Sequence, residues 1–361
     1  MIIKVAFIGD MAFYGKYDTL INDDLEFYFS DVKKVLSECD YSVGNLEAPF
    51  IKNAVKFGFK SAYISSDPIN VNLLNYLGIN SVCISNNHIY DYGRAGLNET
   101  IETLDSNGID WFGVNNKDLV IDSLNLAFHG YCSYNTNPSG LRRKFSSDGV
   151  EPLKYSKVES KFCKYLDSGY LNILSVHSGI EHINQCSIDD VRFARKFAKK
   201  GSYIYFGHHP HVLQAIENYE GSLLAYSLGN FCFDDVYEEY SRKKIVTQSE
   251  DNKSSVIMIA SIDGNKIVGF ETVSIYQGSD KLEVGGDLSL SKLSEANKLL
   301  HLSRVDYQAL RADKLKSINA SRNSSRSLEW LVNRIRFSTI RRVVERKVNS
   351  LKYKLFFSSK L

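Results

Sequence analysis

Residues 203–214, which read YIYFGHHPHVLQ, join an apolar run to a group of histidines. The run over 202–207 is rich in aromatic and β-branched residues, which predicts a buried strand. Three of the eight histidines of the chain follow within four positions, at His208, His209 and His211. In an open α/β sheet, ligands bind beyond the carboxyl ends of the strands. The stretch therefore predicts an α/β fold with its chemistry at the end of this strand.

Apolar runs alternate with amphipathic patterns through most of the chain, up to residue 276. This alternation predicts an α/β fold in which the sheet is largely buried. The strands are predicted at 2–9, 41–46, 80–85, 110–114, 124–131, 171–177, 202–207, 222–228, 255–263 and 266–276. The helices are predicted near 18–39, 68–77, 94–106 and 188–200.

The composition is that of a globular protein, with 43% hydrophobic and 24% charged residues, which excludes disorder over most of the length. The first residues, MIIKVAFIGD, lack a basic leader and a cleavage site, so they predict a strand and not a secretory signal. No apolar run approaches the roughly 18 residues of a membrane-spanning helix. The six cysteines form no CxxC pair, which indicates a reducing compartment. We expect a cytoplasmic protein, with the inner face of the membrane as a peripheral location.

Charge divides the chain into an acidic body and a basic end. Residues 326–361 contain ten Lys and Arg against two Glu, a local net charge of +8, whereas the remaining residues carry a net charge of −6. The texture of the sequence also changes near residue 278, where a more polar, helical pattern begins. We therefore predict one domain over 1–278 and a helical extension over 279–361.

Within 327–361 the pattern predicts a basic amphipathic helix, because apolar residues recur three and four positions apart. The apolar stripe consists of Phe337, Ile340, Val344, Val348, Leu351 and Leu355. Such a helix binds an anionic membrane surface or a partner such as a synthase or export complex, or it packs its stripe on its own domain. The sequence leaves these alternatives open. No recognition motif accompanies the charge, so we expect no nucleic-acid partner.

Polar side chains follow six of the predicted strands. Each group alone has an ordinary explanation, since Asp10 could cap a helix and Asn-Asn pairs are common in turns. Together they offer about seven nitrogen and oxygen ligands, too many for one tetrahedral zinc site. Two metal ions that share a carboxylate could use them all, and could activate water for hydrolysis. The groups are Asp10; Asn45 and Glu47; Asn86, Asn87, His88 and Asp91; His177, Glu181 and His182; His208, His209 and His211; and Asn230 and Asp234.

These motifs resemble the capsule biosynthesis protein CapA family, named for poly-γ-glutamate capsule production. In the order of that family the sequence has GD at 9–10, NLE at 45–47, NNHxxDxG at 86–93, HxGxE at 177–181, GHHPHV at 207–212 and SLGNF at 227–231. The resemblance covers residues 2–278. It implies the calcineurin-like metallophosphoesterase fold, a four-layer α/β/β/α sandwich, here with a helical C-terminal appendage.

The resemblance also implies roles for individual residues. One metal site would consist of Asp10, Glu47 and His211, and the other of Glu47, Asn87, His177 and His209. His88 would protonate the leaving atom, with Asp91 orienting its ring. Contacts to the substrate or to the ligands would come from Asn45, Asn86, Glu181, His208 and Asn230. The implied cofactor is one or two divalent ions of Mn, Zn or Fe.

The sequence departs from the pattern of the fold at its first motif, where the usual Asp-x-His reads Asp10-Met11-Ala12. One ligand is therefore missing, or its place is filled by Glu181 or a water, and the number of ions stays open. Ser178 stands where family members often carry Trp, which changes the expected substrate pocket. Many members also have an N-terminal membrane anchor, which we do not find in this sequence.

The implied function is metal-dependent hydrolysis in the biosynthesis or modification of a capsule or other cell-surface polymer. Metal-activated water would attack a phosphoester or, as the second choice, a γ-glutamyl amide. The alternative is a non-catalytic partner that holds an anionic polymer for a membrane synthase or export complex. The missing ligand and the basic end of the chain favour this alternative.

Overall fold

Two β-sheets face each other in the computed structural model, which describes residues 1–53, 55–58, 60, 62–142, 148–237, 244–324 and 337–361. The strands are β1 (Ile2–Met11), β2 (Tyr41–Leu46), β3 (Ser81–Cys83), β4 (Asp110–Phe112), β5 (Leu119–Ile121), β6 (Leu126–Cys132), β7 (Leu171–His177), β8 (Tyr203–His208), β9 (Ile216–Tyr219), β10 (Ser222–Ala225), β11 (Asn230–Cys232), β12 (Val236–Tyr237), β13 (Lys244–Val246), β14 (Ser254–Asp263), β15 (Lys266–Gln277) and β16 (Leu282–Val284). The helices are α1 (Leu25–Tyr28), α2 (Ser30–Leu36), α3 (Val71–Leu77), α4 (Gly93–Ser106), α5 (Tyr155–Asp167), α6 (Ile188–Ala198), α7 (Asp287–Leu299), α8 (Arg304–Ser324) and α9 (Phe337–Phe356).

The strands that carry the predicted polar groups run parallel. The first sheet has the order β16-β15-β14-β1-β2-β3-β4, and β11 also pairs with β1. The second sheet has the order β5-β6-β7-β8-β10-β9, and β12 and β13 form a separate ribbon. Parallel pairing joins β1 to β2 and β2 to β3 in the first sheet, and β6 to β7 and β7 to β8 in the second. Their carboxyl ends therefore share an edge of each sheet.

Three apolar cores separate four layers. Phe7, Val43 and Phe206 lie in the core between the two sheets. Residues on the opposite face of the first sheet pack with α1–α4, and those on the opposite face of the second sheet pack with α5 and α6. Because successive residues of a strand point to opposite faces, strands buried on both sides are apolar throughout. The predicted four-layer α/β/β/α sandwich is confirmed.

The chain crosses from the second sheet to the first between Ala225 and Asn230, where the sequence predicted one continuous strand over 222–228. Gly229 has a φ of +78°, a conformation that favours glycine. A Cβ on Gly9 would lie 2.0 Å from the carbonyl oxygen of Gly229, so only glycine at position 9 allows this approach. The crossing aligns Asn230 with Asp10 in the parallel pair β1 and β11.

One helix prediction was wrong and one helix was missed. The single helix over 18–39 is divided into α1 and α2, because turns occupy the residues before Leu25 and Phe29 separates the two helices. In that turn Asn22 accepts a hydrogen bond from the backbone of Asp24, a local bond that competes with helix formation. Helix α5 was not predicted, although its buried residues recur at helical spacing as Tyr155, Val158, Phe162 and Tyr165.

The first sheet continues beyond residue 278, where the sequence predicted a boundary. Strand β16 pairs with β15, and Ser289 of α7 donates a hydrogen bond to the carbonyl oxygen of Ile275 in β15. Leu293 of α7 enters the core between the sheets. These elements of the predicted extension therefore belong to the packed layers. Within the described part of the chain, no helix combines the length and hydropathy that crossing a bilayer requires.

Candidate metal centre

The structure brings the six residues predicted as metal ligands to one edge of the sandwich. Asp10 lies near the end of β1, Glu47 directly follows β2, and His177 ends β7. The loops after β3 and β8 carry the other three, Asn87, His209 and His211. All six side chains are buried. The edge is thus a buried polar site within an apolar sandwich.

Two groups of side chains that could hold a metal share Glu47. One group is Glu47, His177 and His209, and the other is Asp10, Glu47 and His211, with the ligand atoms of each group within 4.8 Å of one another. The Nε2 atoms of His177 and His211 lie 3.7 Å and 3.6 Å from Oε1 of Glu47. Asn87 joins the first group, because its Oδ1 lies 2.8 Å from Nε2 of His177. These groups have the same members as the two sites that the sequence predicted.

A bound cation would stabilise the buried carboxylate of Glu47. Neither of its carboxylate oxygens has a hydrogen-bond partner among the described residues, and the side chain is fully buried. Burial raises the pKa of Glu47 well above its ordinary value, and the neighbouring charges of Asp10 and Glu181 raise it further. Leaving a carboxylate buried without a partner costs several kcal/mol. A bound cation would remove that cost.

The histidine rings of the site are also in a form that can bind a metal ion. Burial lowers the pKa of His177 well below its ordinary value and that of His209 to about 3, so both rings are neutral at neutral pH. The Nδ1 atoms of both rings have no hydrogen-bond partner within the described ranges. Neutral imidazole nitrogen and carboxylate oxygen are the ligands that bind divalent transition metals. The donor set therefore fits metal ions.

Asp10 and His211 are oriented by neighbouring groups. Asn45 donates a hydrogen bond of 2.8 Å to Oδ1 of Asp10, and the backbone of His209 donates one of 3.2 Å to Oδ2. Nδ1 of His211 donates to Oδ1 of Asn230 at 2.9 Å, which leaves Nε2 directed toward Glu47. Hydrogen bonds of this kind fix the orientation and tautomer of a metal ligand.

His208 lies against Asp10, with its Nδ1 3.1 Å from Oδ1 although the two groups are not aligned for a hydrogen bond. Burial alone would raise the pKa of Asp10. The contact with His208 and the electrostatic interactions with His208 and His211 outweigh burial, so the pKa of Asp10 is lowered. His208 therefore touches a predicted ligand from the space between the sheets, where its ring meets Phe206 at a centroid distance of 4.1 Å.

The turn that carries the histidines has an unusual backbone. His209 and His211 have φ values of +96° and +58°, on either side of Pro210. Positive φ is uncommon for residues other than glycine and is concentrated at functional sites. The strained turn directs both rings inward, where their centroids lie 5.9 Å apart.

Asn86 holds the loop after β3 in place. Its amide nitrogen donates to the carbonyl oxygen of Leu46 and to Oδ1 of Asn45, and its Oδ1 accepts from the backbone of His88 and Ile89. The loop that positions Asn87 and His88 is thus tied to the loop of Glu47. These bonds occupy both ends of the Asn86 amide.

Lys60 joins the site, and the sequence analysis missed it. Its Nζ donates to Oδ1 of Asp91 at 2.5 Å and to the carbonyl oxygen of Asn87 at 2.6 Å, and lies 3.2 Å from Nδ1 of His88. That Nδ1 donates to Oδ2 of Asp91 at 2.7 Å. Lys60 comes from the long connection between β2 and α3 and follows no strand, so no rule based on strand ends could find it.

The Lys60 ammonium changes the protonation of its neighbours. Burial lowers the pKa of His88, and the charge of Lys60 lowers it further, against the opposing effect of Asp91. Burial raises the pKa of Asp91, but Lys60 and His88 outweigh burial and hold it below its ordinary value. His88 is therefore neutral at neutral pH with its proton on Nδ1, and Nε2 carries a lone pair.

Residues 4–235 match the family described as bacterial capsule synthesis protein PGA_cap. The chain belongs to this family. The resemblance that the motifs indicated is therefore confirmed, and with it the assignment to CapA-type capsule biosynthesis proteins.

Two relatives of the capsule synthesis family carry related names. The chain is 27% identical over 249 residues to the PGA biosynthesis protein CapA of Bacillus subtilis (strain 168), a match that covers 64% of each chain. It is 25% identical over 277 residues to the capsule biosynthesis protein CapA of Bacillus anthracis, covering 72% of this chain and 67% of that one. The matches thus span about two thirds of each relative.

Among solved structures, the chain is similar to the calcineurin-like phosphoesterase YfkN from Bacillus subtilis. The TM-score is 0.40 and the identity 14%, over 82% of this chain and 97% of that chain.

A small, partly enclosed cleft leads to the candidate metal centre of this family member. His88, Glu181 and His211 line it together with Phe233, and Glu181 is half-buried. Glu181 belongs to neither ligand group, so the structure does not place it as the replacement for the missing first-motif histidine. Ala12, at the position of that histidine, is buried in a small apolar cluster with Ile64 and Phe233.

His182 and Asp234, which belong to the predicted polar groups, make hydrogen bonds outside the two groups of ligands. His182 Nδ1 accepts a hydrogen bond of 3.0 Å from Asn252, which also donates to the carbonyl oxygen of His211. Asp234 accepts a hydrogen bond from the backbone of Lys16. Asn252 was not predicted from the sequence, and it connects the loop of His182 to the turn of His211.

Proposed function

We propose that this protein is a metal-dependent hydrolase that acts in the biosynthesis or modification of a capsule or other cell-surface polymer. The observation that carries the proposal is the position of Glu47 between two groups of ligands, with both carboxylate oxygens lacking partners among the described residues. The relatives named for PGA and capsule biosynthesis support the polymer context. The bond we propose is a phosphoester, with a γ-glutamyl amide as the second choice.

The residues would divide the work as follows. His177, His209 and Asn87 with Glu47 would hold one ion, and Asp10 and His211 with Glu47 the other. When bound, divalent ions here would supply Lewis acidity and lower the pKa of a coordinated water. We propose Mn, Zn or Fe, because these ions accept mixed imidazole and carboxylate ligands.

His88 would move the proton. Because Asp91 holds its Nδ1, Nε2 is the nitrogen left to act in the cleft. The lowered pKa means that His88 starts without a proton on Nε2. It would accept one from the attacking water as the new P–O bond forms, and deliver it to the oxygen of the bond that breaks. His88 would thus relay a proton, whereas the sequence predicted a residue that already carries it.

Hydrolysis of bis(p-nitrophenyl) phosphate by the purified protein, in the presence of Mn²⁺ or Zn²⁺, tests the proposal. We expect turnover by the wild type and a loss of at least about 100-fold in His88→Ala with bound metal retained. His301→Ala, an exposed histidine outside the site, is the matched control and should keep full turnover. γ-Glutamyl-p-nitroanilide tests the amide alternative in the same assay.

One observation favours a second candidate function, that of a non-catalytic partner holding an anionic polymer. Ala12 leaves the group of Asp10 and His211 without the side chain that the wider fold usually supplies. Wild-type protein that binds metal and poly-γ-glutamate but hydrolyses neither probe would support this function and contradict the hydrolase.

A further inference from the structure

Helix α9 is fixed to the sandwich at its C-terminal end. Phe357 is fully buried, and its ring lies 5.0 Å from that of Phe193 in α6. The hydroxyl of Tyr353 donates to Asp189 at 3.1 Å, and Lys196 donates to the carbonyl oxygen of Lys360 at 2.7 Å. The end of the helix is therefore part of the outer layer that covers the second sheet.

The apolar stripe of α9 does not take part in this packing. The anchoring residues Tyr353 and Phe357 lie on another face of the helix, since they are out of register with the stripe at 100° per residue. The side chain of Phe337 lies outside the described residues. The other stripe residues are between 41% and 67% exposed, namely Ile340, Val344, Val348, Leu351 and Leu355. The sequence left open a helix that packs its stripe on the domain, but a different face makes that contact.

Basic side chains border the stripe on both sides. At helical spacing, Arg341 and Lys352 lie along one border of the stripe, and Lys347 and Lys354 lie along the other. Residues 340–356 contain six Lys and Arg against one Glu. The exposed face of α9 is thus an apolar strip between two rows of positive charge.

We propose that this face of α9 docks on an anionic lipid bilayer. A helix that lies in a membrane surface buries its apolar face among the acyl chains and places Lys and Arg among anionic headgroups. The rows of charge match that surface, and the stripe supplies the apolar area. A nucleic acid would use the charges and leave the stripe exposed, so it fits less of the observed face.

The docked helix would bring the metal centre close to the membrane. The Phe356 ring lies 6.2 Å from Tyr134, which begins the short helical turn after β6. The last residue of β6, Cys132, pairs with His177 of the metal centre. The C-terminal end of α9 is therefore next to the edge of the sheets on which the candidate site is built.

Co-sedimentation of the full-length protein with vesicles tests the proposal. We expect the wild type to bind phosphatidylcholine vesicles that contain phosphatidylglycerol, to bind pure phosphatidylcholine far less, and to be released by salt. The double substitution Leu351→Glu and Leu355→Glu should lower the partition coefficient by about tenfold or more, because each change removes an apolar side chain from the bilayer. Val305→Glu, at a 74% exposed position of α8, is the matched control and should bind as the wild type does.

A second pair of variants separates charge from apolar contact. Lys347→Glu with Lys354→Glu should lower binding to the anionic vesicles by about tenfold or more, whereas Lys316→Glu on α8 should leave it unchanged. Wild-type protein that binds neither kind of vesicle, or stripe variants that bind as well as wild type, would overturn the proposal. Binding to soluble polyglutamate that is lost in Lys347→Glu with Lys354→Glu, without binding of the wild type to vesicles, would assign this face to an acidic polymer or protein and would also overturn the proposal.

Discussion

Two buried carboxylates lie in the same site, and their surroundings shift their pKa values in opposite directions. Asp91 receives hydrogen bonds from Lys60, from His88 and from the backbone of Ile64, and its pKa is lowered. Glu47 receives none from the described residues, and its pKa is raised. Both side chains are fully buried. The cation that stabilises Asp91 is part of the chain, whereas the cation that we propose for Glu47 would come from solution.

Glu47→Gln should have the largest effect, because it removes the carboxylate that both groups of ligands share. An amide is a poor bridging ligand and carries no charge, so metal should be lost from both groups at once. We expect the affinity for metal to fall at least about 100-fold, which is the upper limit of the losses caused by mutating residues that only orient a ligand. The metal content after gel filtration measures this loss. Glu217→Gln, which removes a carboxylate paired with Arg195 away from the site, should keep its metal. Full metal content in Glu47→Gln would contradict the shared-ligand assignment.

Lys60→Met tests whether the Lys60 ammonium stabilises the buried Asp91 carboxylate. It leaves the Asp91 carboxylate buried with the neutral His88 ring and the backbone of Ile64 as its hydrogen-bond donors and without a cationic partner. The free energy of unfolding should therefore fall by about 4 kcal/mol. Urea denaturation measures the change. Adding Asp91→Asn in the same chain should restore most of the loss, because it removes the unpaired charge. A double variant as unstable as Lys60→Met would show that Lys60 acts through packing instead.

Removal of metal should destabilise the wild type and leave Glu47→Gln unaffected. A ligand at about 100 times its dissociation constant stabilises the folded state by about 2.7 kcal/mol. Thermal unfolding with and without a chelator measures this difference for both proteins. Equal melting temperatures of the wild type under the two conditions would mean that Glu47 is stable without a cation.

Asp190 is a buried carboxylate whose surroundings are intermediate between those of Asp91 and Glu47. Its side chain accepts a hydrogen bond of 3.0 Å from a neutral donor, the hydroxyl of Ser178. Burial raises its pKa from 3.8 to about 6. A folded pKa above the unfolded one means that the folded state binds the proton more tightly, so stability is lost as the pH rises from about 4 through 6. Two units correspond to about 2.7 kcal/mol.

Asp190→Asn should therefore unfold at a higher urea concentration than the wild type at pH 8, with the two proteins nearly equal at pH 4. The magnitude at pH 8 should not exceed about 2.7 kcal/mol, because the shift in the pKa of Asp190 sets the limit. A wild type and variant whose difference is independent of pH would show that Asp190 does not titrate in this range.

Strand ends were predictable because they depend on local pattern. Apolar runs followed by Asp10, Glu47 or His177 indicate a strand and then a polar edge, and parallel pairing brings such edges together. The grouping of ligands around Glu47 came from a family resemblance, since spacing along the chain does not define which strands are neighbours. Lys60 and Asn252 were missed because both act from connections between elements, and such contacts depend on the tertiary fold.

The packing of α9 could not be predicted for a similar reason. Helical periodicity predicts that a segment has an apolar face, but the partner of that face is decided by the fold. The stripe of α9 was read correctly as amphipathic, yet Tyr353 and Phe357, outside the stripe, make the contact with α6. Periodicity alone could not distinguish a face that packs from one that stays exposed.

We propose that Glu47 is the shared ligand of two divalent ions. Anomalous diffraction from crystals grown with Mn²⁺ would locate those ions. We predict two peaks, each within coordination distance of Glu47, one beside His177 and His209 and the other beside Asp10 and His211. A map with no anomalous peak next to Glu47 would contradict the account.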